Sequence, residues 1–244
     1  ESLMHRFPSE TVQAGKLDFE TDVNLRIEQT SDEEWIDSFS SMLAEQPILI
    51  ADGHHRYDTA RSYHSNQTNS GLKSGYVLAY LVPSSSEGLQ ILPTHRGLFG
   101  LTENQIDQLK AGLECYFSQT KHENCTPYLT AIIGDEKLTK YYLNDKTKSS
   151  PLGVEVFEEV ILKKTLAFSE DDIADKSQLA YFHNRSDCLK AVTVGTLNAA
   201  FIMEALTVNE LMKSTEDGSV LPQKSTFFFP KIGAGMVMQS LETI

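Results

Sequence analysis

The sequence predicts an α+β protein of mixed sheets with hairpins and packed helices, arranged as two units, 1–100 and 101–244. Three observations carry that prediction. Leu17 to Ile27 alternate apolar and polar with period two, the mark of a half-buried strand. Ser31 with Glu34, Thr102 with Gln105 and Thr207 with Glu210 stand at capping-box spacing ahead of helical apolar patterns. Short apolar runs separated by glycine-containing turns follow no regular strand–helix–strand order, so a parallel α/β sheet is not expected. With 244 residues, 40% of them hydrophobic, the chain can enclose one large core or two small ones.

Taken in order, the odd positions from Leu17 to Ile27 are apolar or Thr and the even ones polar, with a bend expected near Thr21-Asp22. Trp35, Phe39, Met42 and Leu43 then share a helical face, and that helix should end near Glu45, before Pro47. Ile48 to Ala51 reads as a buried strand feeding a helix that begins at or after Gly53. Tyr57, Ala60 and Tyr63 or His64 recur along it at helical spacing, with the tyrosines facing a core. Asn66 to Lys73 is polar and glycine-containing, a loop. Tyr76 to Val82 is a continuous apolar run and is expected as a central strand, with Leu89 to Leu92 returning as its hairpin partner.

The second unit opens with the Thr102 helix, its Ile106, Leu109 and Leu113 inward. Thr130 to Ile133 and Leu138 to Leu143 flank Gly134-Asp135-Glu136-Lys137 as a hairpin. Asn144 to Ser150 is a polar linker, and Val154, Phe157, Ile161 and Thr165 mark a helix with Lys163 and Lys164 near its negative end. Gln178 to Phe182 and Leu197 to Met203 read as strands, Asp187 to Val192 as a short helix, and the Thr207 pair caps another. Phe227 to Phe229 and Met236 to Leu241 read as two closing strands. No internal repeat or low-complexity tract occurs.

Chemistry concentrates at Asp52-Gly53-His54-His55-Arg56, where an apolar run ends at a glycine-hinged turn. A helix starting there presents unpaired backbone N–H groups and the positive end of its dipole, and Gly53 lets a phosphate approach the backbone closely. Arg56 adds a planar fork of donors. Asp52 is the local carboxylate suited to metal or hydroxyl duty, with a helix cap as its structural alternative. His95-Arg96 follows Pro93 at the end of a strand, a place where ligand residues gather and also where ordinary surface turns lie. Lys224, Ser225 and Thr226, with Lys231, flank a Phe triplet; they solubilise an edge strand or bind a second phosphate or a carboxylate. His5, His64, His122 and His183 are scattered and carry no assignment.

A net charge of −13 and a pI near 4.9 argue against a nucleic-acid or anionic-membrane surface. The cysteines, Cys115, Cys125 and Cys188, are odd in number and lack CxxC spacing, so neither a disulfide framework nor a zinc site follows, and a reducing cytoplasm fits best. No stretch approaches the roughly 18 apolar residues of a membrane span, and no signal peptide is visible.

Asp52 to Arg56 after an apolar run resembles the phosphate-binding signature of the ParB/sulfiredoxin-like superfamily, whose free-serine kinases carry this pentapeptide. Ala51 to Tyr57 also resembles the domain-of-unknown-function family numbered one thousand and fifteen. Ile91-Leu92-Pro93-Thr94-His95-Arg96, Pro222 to Lys231 and Gly235-Met236-Val237 support that family over roughly residues 17 to 244. The sulfiredoxin signature is matched at Gly53, His55 and Arg56, but His54 stands where the reactive cysteine belongs, which removes the nucleophile. ParB proteins match at Gly53 and Arg56 only.

The resemblance implies a ParB/sulfiredoxin-like first unit that binds ATP or ADP with Mg²⁺ and transfers a phosphoryl group to a small hydroxylated metabolite such as free serine. A non-catalytic nucleotide- or phosphometabolite-binding module is the alternative. In either case Gly53, His54, His55 and Arg56 hold phosphate, and His95, Arg96, Lys224, Ser225 and Thr226 form a substrate or second anion site. The acidic catalytic residue of the resembled kinases lies N-terminal of the pentapeptide and has no counterpart that can be carried over. Members of the family have a further N-terminal segment and this chain starts at Glu1, so it is expected to be a fragment.

Overall fold

The computed structural model describes residues 10–19, 21–66, 73–120, 129–144, 152–215, 221–231 and 235–240, with side chains from Ile27 onward. The chain forms two compact units, Glu1–Ala79 with Ile232–Ile244, and Tyr80–Lys231. Its elements are helices and antiparallel sheets, the α+β class. Among the described residues no helix is long and apolar enough to cross a membrane.

In the first unit β1 (Glu10–Phe19) and β2 (Thr21–Gln29) form an antiparallel pair with Phe19 opposite Thr21. The single strand expected over Leu17 to Ile27 is therefore two strands, and the expected bend is a chain reversal. A period of two is unchanged by reversing direction, so alternation alone cannot reveal the turn. Helix α1 (Glu33–Ala44) is capped by Asp32, whose carboxylate accepts from the Trp35 N–H at 2.8 Å, instead of by Ser31. Trp35 and Phe39 stack one turn apart with ring centroids 5.0 Å apart. Helix α2 (His54–Ser65) follows, and a 3-10 turn at Lys73–Gly75 meets its end, where His64 Nδ1 lies 3.1 Å from the Ser74 hydroxyl.

Three expected strands do not form among the described residues. Ile48 to Ala51 makes no ladder, and neither does Tyr76 to Val82, where Tyr76 is 74% exposed and Val77, Leu78, Tyr80 and Leu81 are also exposed. An apolar run becomes a strand only where a neighbour supplies its N–H and C=O partners, and that neighbour is not written in the run itself. Tyr57 and Tyr63 are exposed instead of core-facing, and no described residue of α2 is buried. No strand forms over Met236 to Ser240. Residues 67–72 and 145–150, where a loop and a linker were expected, lie outside the described residues.

The second unit is built on a six-stranded antiparallel sheet. Its strands are β4 (His95–Leu98), β5 (Phe117–Ser118), β6 (Leu129–Ile133), β7 (Thr139–Leu143), β8 (Leu179–Phe182) and β9 (Ala199–Ile202), in the spatial order β5-β7-β6-β9-β4-β8. The hairpin expected around Gly134 is β6–β7. Strand β3 (Gln90–Leu92) pairs with β10 (Phe227–Phe229), and not with Tyr76 to Val82 as expected.

Both faces of the sheet are covered, so β9 is buried at every position. Ala199 and Phe201 face α3 (Glu103–Tyr116) and the segment that begins as α4 (Gly153–Val156) and continues as a π-helix (Phe157–Thr165). Ala200 and Ile202 face α6 (Arg185–Thr193), packing with Cys188, Val192 and Leu197. The capping box Thr102–Gln105 opens α3 as expected and turns Leu109 and Leu113 into the core. Thr207 and Glu210 exchange hydrogen bonds at the start of α7 (Val208–Thr215). Short α5 (Glu170–Asp175) is capped by Ser169. The π-helix is widened where Leu166 N–H reaches Ile161 O at 3.1 Å and the Thr165 hydroxyl donates to Val160 O at 2.7 Å.

Thr165 also explains Gly112 on α3. A Cβ at Gly112 would lie 2.3 Å from Thr165 Cγ2 and 2.5 Å from its Oγ1. The Gly112→Ala variant is therefore expected to lose about 1–3 kcal/mol through overpacking. Urea denaturation should show a lowered midpoint at unchanged slope, whereas a midpoint equal to wild type would show that the two helices can part without cost.

Candidate functional site

The first cluster sits where α2 begins. Gly53 is its N-cap, in the left-handed region at φ 88°, and no side chain caps the helix. Tyr57 N–H closes the first turn onto Gly53 O at 2.9 Å, which leaves the preceding N–H groups pointing out along the helix axis. Only glycine adopts this φ at no steric cost. The guanidinium of Arg56 folds back over the same residue, so that a Cβ on Gly53 would stand 3.0 Å from Nη2. Asp52 lies 3.9 Å from Arg56 Nη2, with the two side chains 54% and 80% exposed, a loose surface pair. Thus Asp52, Gly53, His54, His55 and Arg56 are brought together on one helix start, open to solvent.

The second cluster lies in the other unit. His95 and Arg96 stand at a strand end, as the first two residues of β4, but their side chains do not emerge: they are 4% and 2% exposed. Arg96 Nη1 donates to Thr94 O, and Nη2 reaches Gln223 O at 3.4 Å and Lys224 O at 3.3 Å. Its guanidinium also lies 5.6 Å from the centre of the Tyr181 ring. Burial lowers the Arg96 pKa to about 10, against the raising influence of Tyr181 and Glu158. Ser225 is buried, and its hydroxyl donates to Pro222 O at 2.6 Å. Lys224 is exposed at φ 58°, and Thr226 is partly buried. His95 Nδ1 accepts from Met203 N–H at 3.2 Å. Arg96 and the Gln223-Lys224 backbone are therefore neighbours, with the guanidinium facing carbonyl oxygens.

A cleft of about 440 Å³ in this unit is lined by Glu155, Glu158, Glu159 and Glu170 around Lys163, with Pro222 at its edge. Lys163 reaches Glu158, Glu159 and Glu170 at 3.3, 2.8 and 2.8 Å, and those bonds raise its pKa. The excess of carboxylates disfavours phosphate there.

The family model described as protein of unknown function (DUF1015) matches residues 2–170. The chain belongs to that family. The match contains both Asp52–Arg56 and His95-Arg96. Among solved structures, a conserved hypothetical protein from Pyrococcus furiosus is similar at 20% identity, with 80% of this chain and 81% of that one covered and a TM-score of 0.46. A free serine kinase in complex with AMP is similar at 17% identity over 82% and 81%, with a TM-score of 0.48. SbnI with a C-terminal truncation from Staphylococcus aureus is similar at 16% over 82% and 77%, with a TM-score of 0.45. No curated protein matches.

In this DUF1015 member, sequence reasoning left two residues of the second cluster unassigned. His183 and Arg185 follow the strand residue Phe182 that pairs with His95, and their charges act on its imidazole from some ninety positions away in sequence. A signal was present in the His-Asn-Arg tripeptide that closes β8, yet it has meaning only once β8 is paired.

Burial lowers the pKa of His95 below its ordinary 6.5, and the positive charges of Arg96, Arg185 and His183 lower it further. The unfolded chain therefore protonates His95 before the folded chain does. Its contribution to stability is full above pH 6.5 and is lost progressively as pH falls below that value. An NMR titration of the imidazole should give a midpoint under 6.5; a midpoint above it would contradict the burial account.

Proposed function

We propose that this chain is a nucleotide-dependent phosphotransferase, kinase-like, acting on a small hydroxylated metabolite such as free serine. The observation that carries the reading is the start of α2: a left-handed glycine N-cap without a side-chain cap, roofed by the Arg56 guanidinium. The backbone N–H groups and the positive end of the helix dipole attract phosphate oxygens, and Arg56 adds charge-assisted bonds. His54 and His55, exposed on the first turn, are the further phosphate-holding groups. The match of Asp52 through Arg56 to the free-serine kinase pentapeptide supports the same reading.

Phosphoryl transfer depends on positioning and charge neutralisation more than on covalent chemistry by the protein. In this reading Asp52 serves the acceptor hydroxyl or one position on Mg²⁺. Mg²⁺ keeps several waters and takes one or two carboxylates together with substrate phosphates, so a single exposed Asp beside a phosphate site fits it. Among the described residues no group of three His, Cys, Asp or Glu side chains is placed to hold a metal by itself. When bound, the ion would neutralise charge on the transferred phosphate. A cytoplasmic setting with ATP or ADP as donor completes the proposal, in keeping with the free thiols of Cys115 and Cys188.

The openness of the helix start favours a second reading, a module that binds nucleotide or phosphometabolite without turnover, because transfer needs water excluded from the reacting phosphate. Both readings require Arg56 to hold phosphate. Arg56→Ala should change folding stability by about 0.5 kcal/mol or less, as at other surface positions. It should cost about 1.5–3 kcal/mol in affinity for ADP or ATP, a loss of roughly ten- to more than a hundredfold. Calorimetric titration, with thermal melts alongside, measures both. Equal nucleotide affinity in wild type and variant would refute the site.

A further inference from the structure

Between Tyr76 and Val82 the chain shows water a run of large apolar side chains. Tyr76, Val77, Leu78, Tyr80 and Leu81 are all between 42 and 74% exposed, and Ala79 among them is exposed as well. The backbone is as open as the side chains. Tyr76 N–H bonds Lys73 O at 3.1 Å, and from Val77 to Val82 no backbone hydrogen bond is donated or accepted among the described residues. Pro83, which has no N–H to offer, closes the run.

Val, Leu and Tyr favour paired, extended backbone, and an exposed row of N–H and C=O groups is a template for another strand. Monomers rarely leave so large a continuous apolar surface open. The run also stands apart in charge: from Ser74 to Ser86 there is no Asp, Glu, Lys, Arg or His, in a chain of net charge −13. Two copies of so acidic a chain repel each other over charged surface, and a charge-free run is where they can approach without that cost.

We propose that Tyr76–Val82 is a self-association surface, on which the same stretch of a second copy pairs antiparallel about a two-fold axis at Ala79. A strand paired antiparallel with itself is self-complementary, as a two-fold interface requires. The register centred on Ala79 is the one that pairs all seven residues. Tyr76 then stands opposite Val82 of the second copy, Val77 opposite Leu81, Leu78 opposite Tyr80, and Ala79 opposite Ala79. Each large side chain meets an apolar one, with aromatic–aliphatic pairs along one face. Pro83 falls opposite Gly75, so the ladder ends there. The five large side chains leave on the order of 500 Å² open in each copy, so pairing closes about 1,000 Å² in all, the lower bound for a specific interface. The dimer is accordingly reversible and concentration-dependent instead of obligate. It does not rest on the phosphate reading of Gly53–Arg56.

Sedimentation equilibrium of the full chain at rising micromolar concentration should show the mass pass from one chain to two. Ala79→Lys sets two ammonium groups against each other across the axis and should stay monomeric where wild type is dimeric. Its circular dichroism should match that of wild type, because the position is exposed. Ala79→Cys should give a disulfide-linked dimer under mild oxidation, since the Cα atoms of directly opposed antiparallel residues lie within disulfide reach. Leu78→Cys faces Tyr80 and not itself, so it should cross-link far less, and wild type gives the background from exposed Cys115. The proposal is overturned if wild type stays a monomer, if Ala79→Lys associates as wild type does, if Ala79→Cys cross-links no more than wild type or Leu78→Cys, or if association runs on past two chains.

Discussion

The second unit depends on a guanidinium taken out of water. Arg96 sits inside β4, between β8 and β9, and burying a charge there costs several kcal/mol unless it is bonded on every side. Among the described residues it makes no close ion pair. Carbonyl oxygens of Thr94, Gln223 and Lys224 take its protons, the Tyr181 ring lies under its plane, and Glu158 attracts it from farther off. Because two of those carbonyls belong to a turn some 127 residues away in sequence, satisfying the charge fixes where that turn goes. The turn in turn delivers Phe227 to its pairing with Leu92 and Lys231 to its place over Phe227. Ser225 closes the same turn onto Pro222 O, so a hydroxyl that looks available in the sequence is spent on local geometry. Space around β4 is equally tight, since a Cβ on Gly97 would stand 2.5 Å from Leu197 Cδ1.

The first unit follows a different logic. Its candidate site needs no core: a glycine in the left-handed region, a helix start and an arginine three residues on are set by local backbone chemistry. That independence explains how α2 can present the proposed phosphate-binding groups although none of its described residues is buried. It also leaves the site open, and openness suits capture of an anion more than exclusion of water.

What could be read from the sequence divides along the same line. Local devices were legible: the Thr102–Gln105 and Thr207–Glu210 caps, the β6–β7 hairpin around Gly134, and the pentapeptide Asp52 to Arg56. Ser31 was misplaced by one residue because Asp32 is an equally good cap and starts the helix later. Long-range partnership was not legible. Nothing in Gln90 to Leu92 names Phe227 to Phe229 as its partner, and nothing in Ile48 to Ala51 or Tyr76 to Val82 says that no ladder forms. Which of His95, Arg96, Lys224, Ser225 and Thr226 turn to backbone carbonyls and which stay exposed is decided only by the fold. The π-helix at Phe157–Thr165 keeps an ordinary helical apolar pattern, so its wider turn leaves no trace in residue spacing.

Phosphoryl transfer itself is measured most directly by incubating the full chain with γ-labelled ATP or β-labelled ADP, Mg²⁺ and free serine, and following the label into product. The account predicts labelled phosphoserine, formed with wild-type protein and reduced in step with nucleotide affinity when Arg56 is replaced by Ala. Tight nucleotide binding with no label transferred to serine or to other small hydroxyl compounds would contradict it and leave a module that binds without turnover.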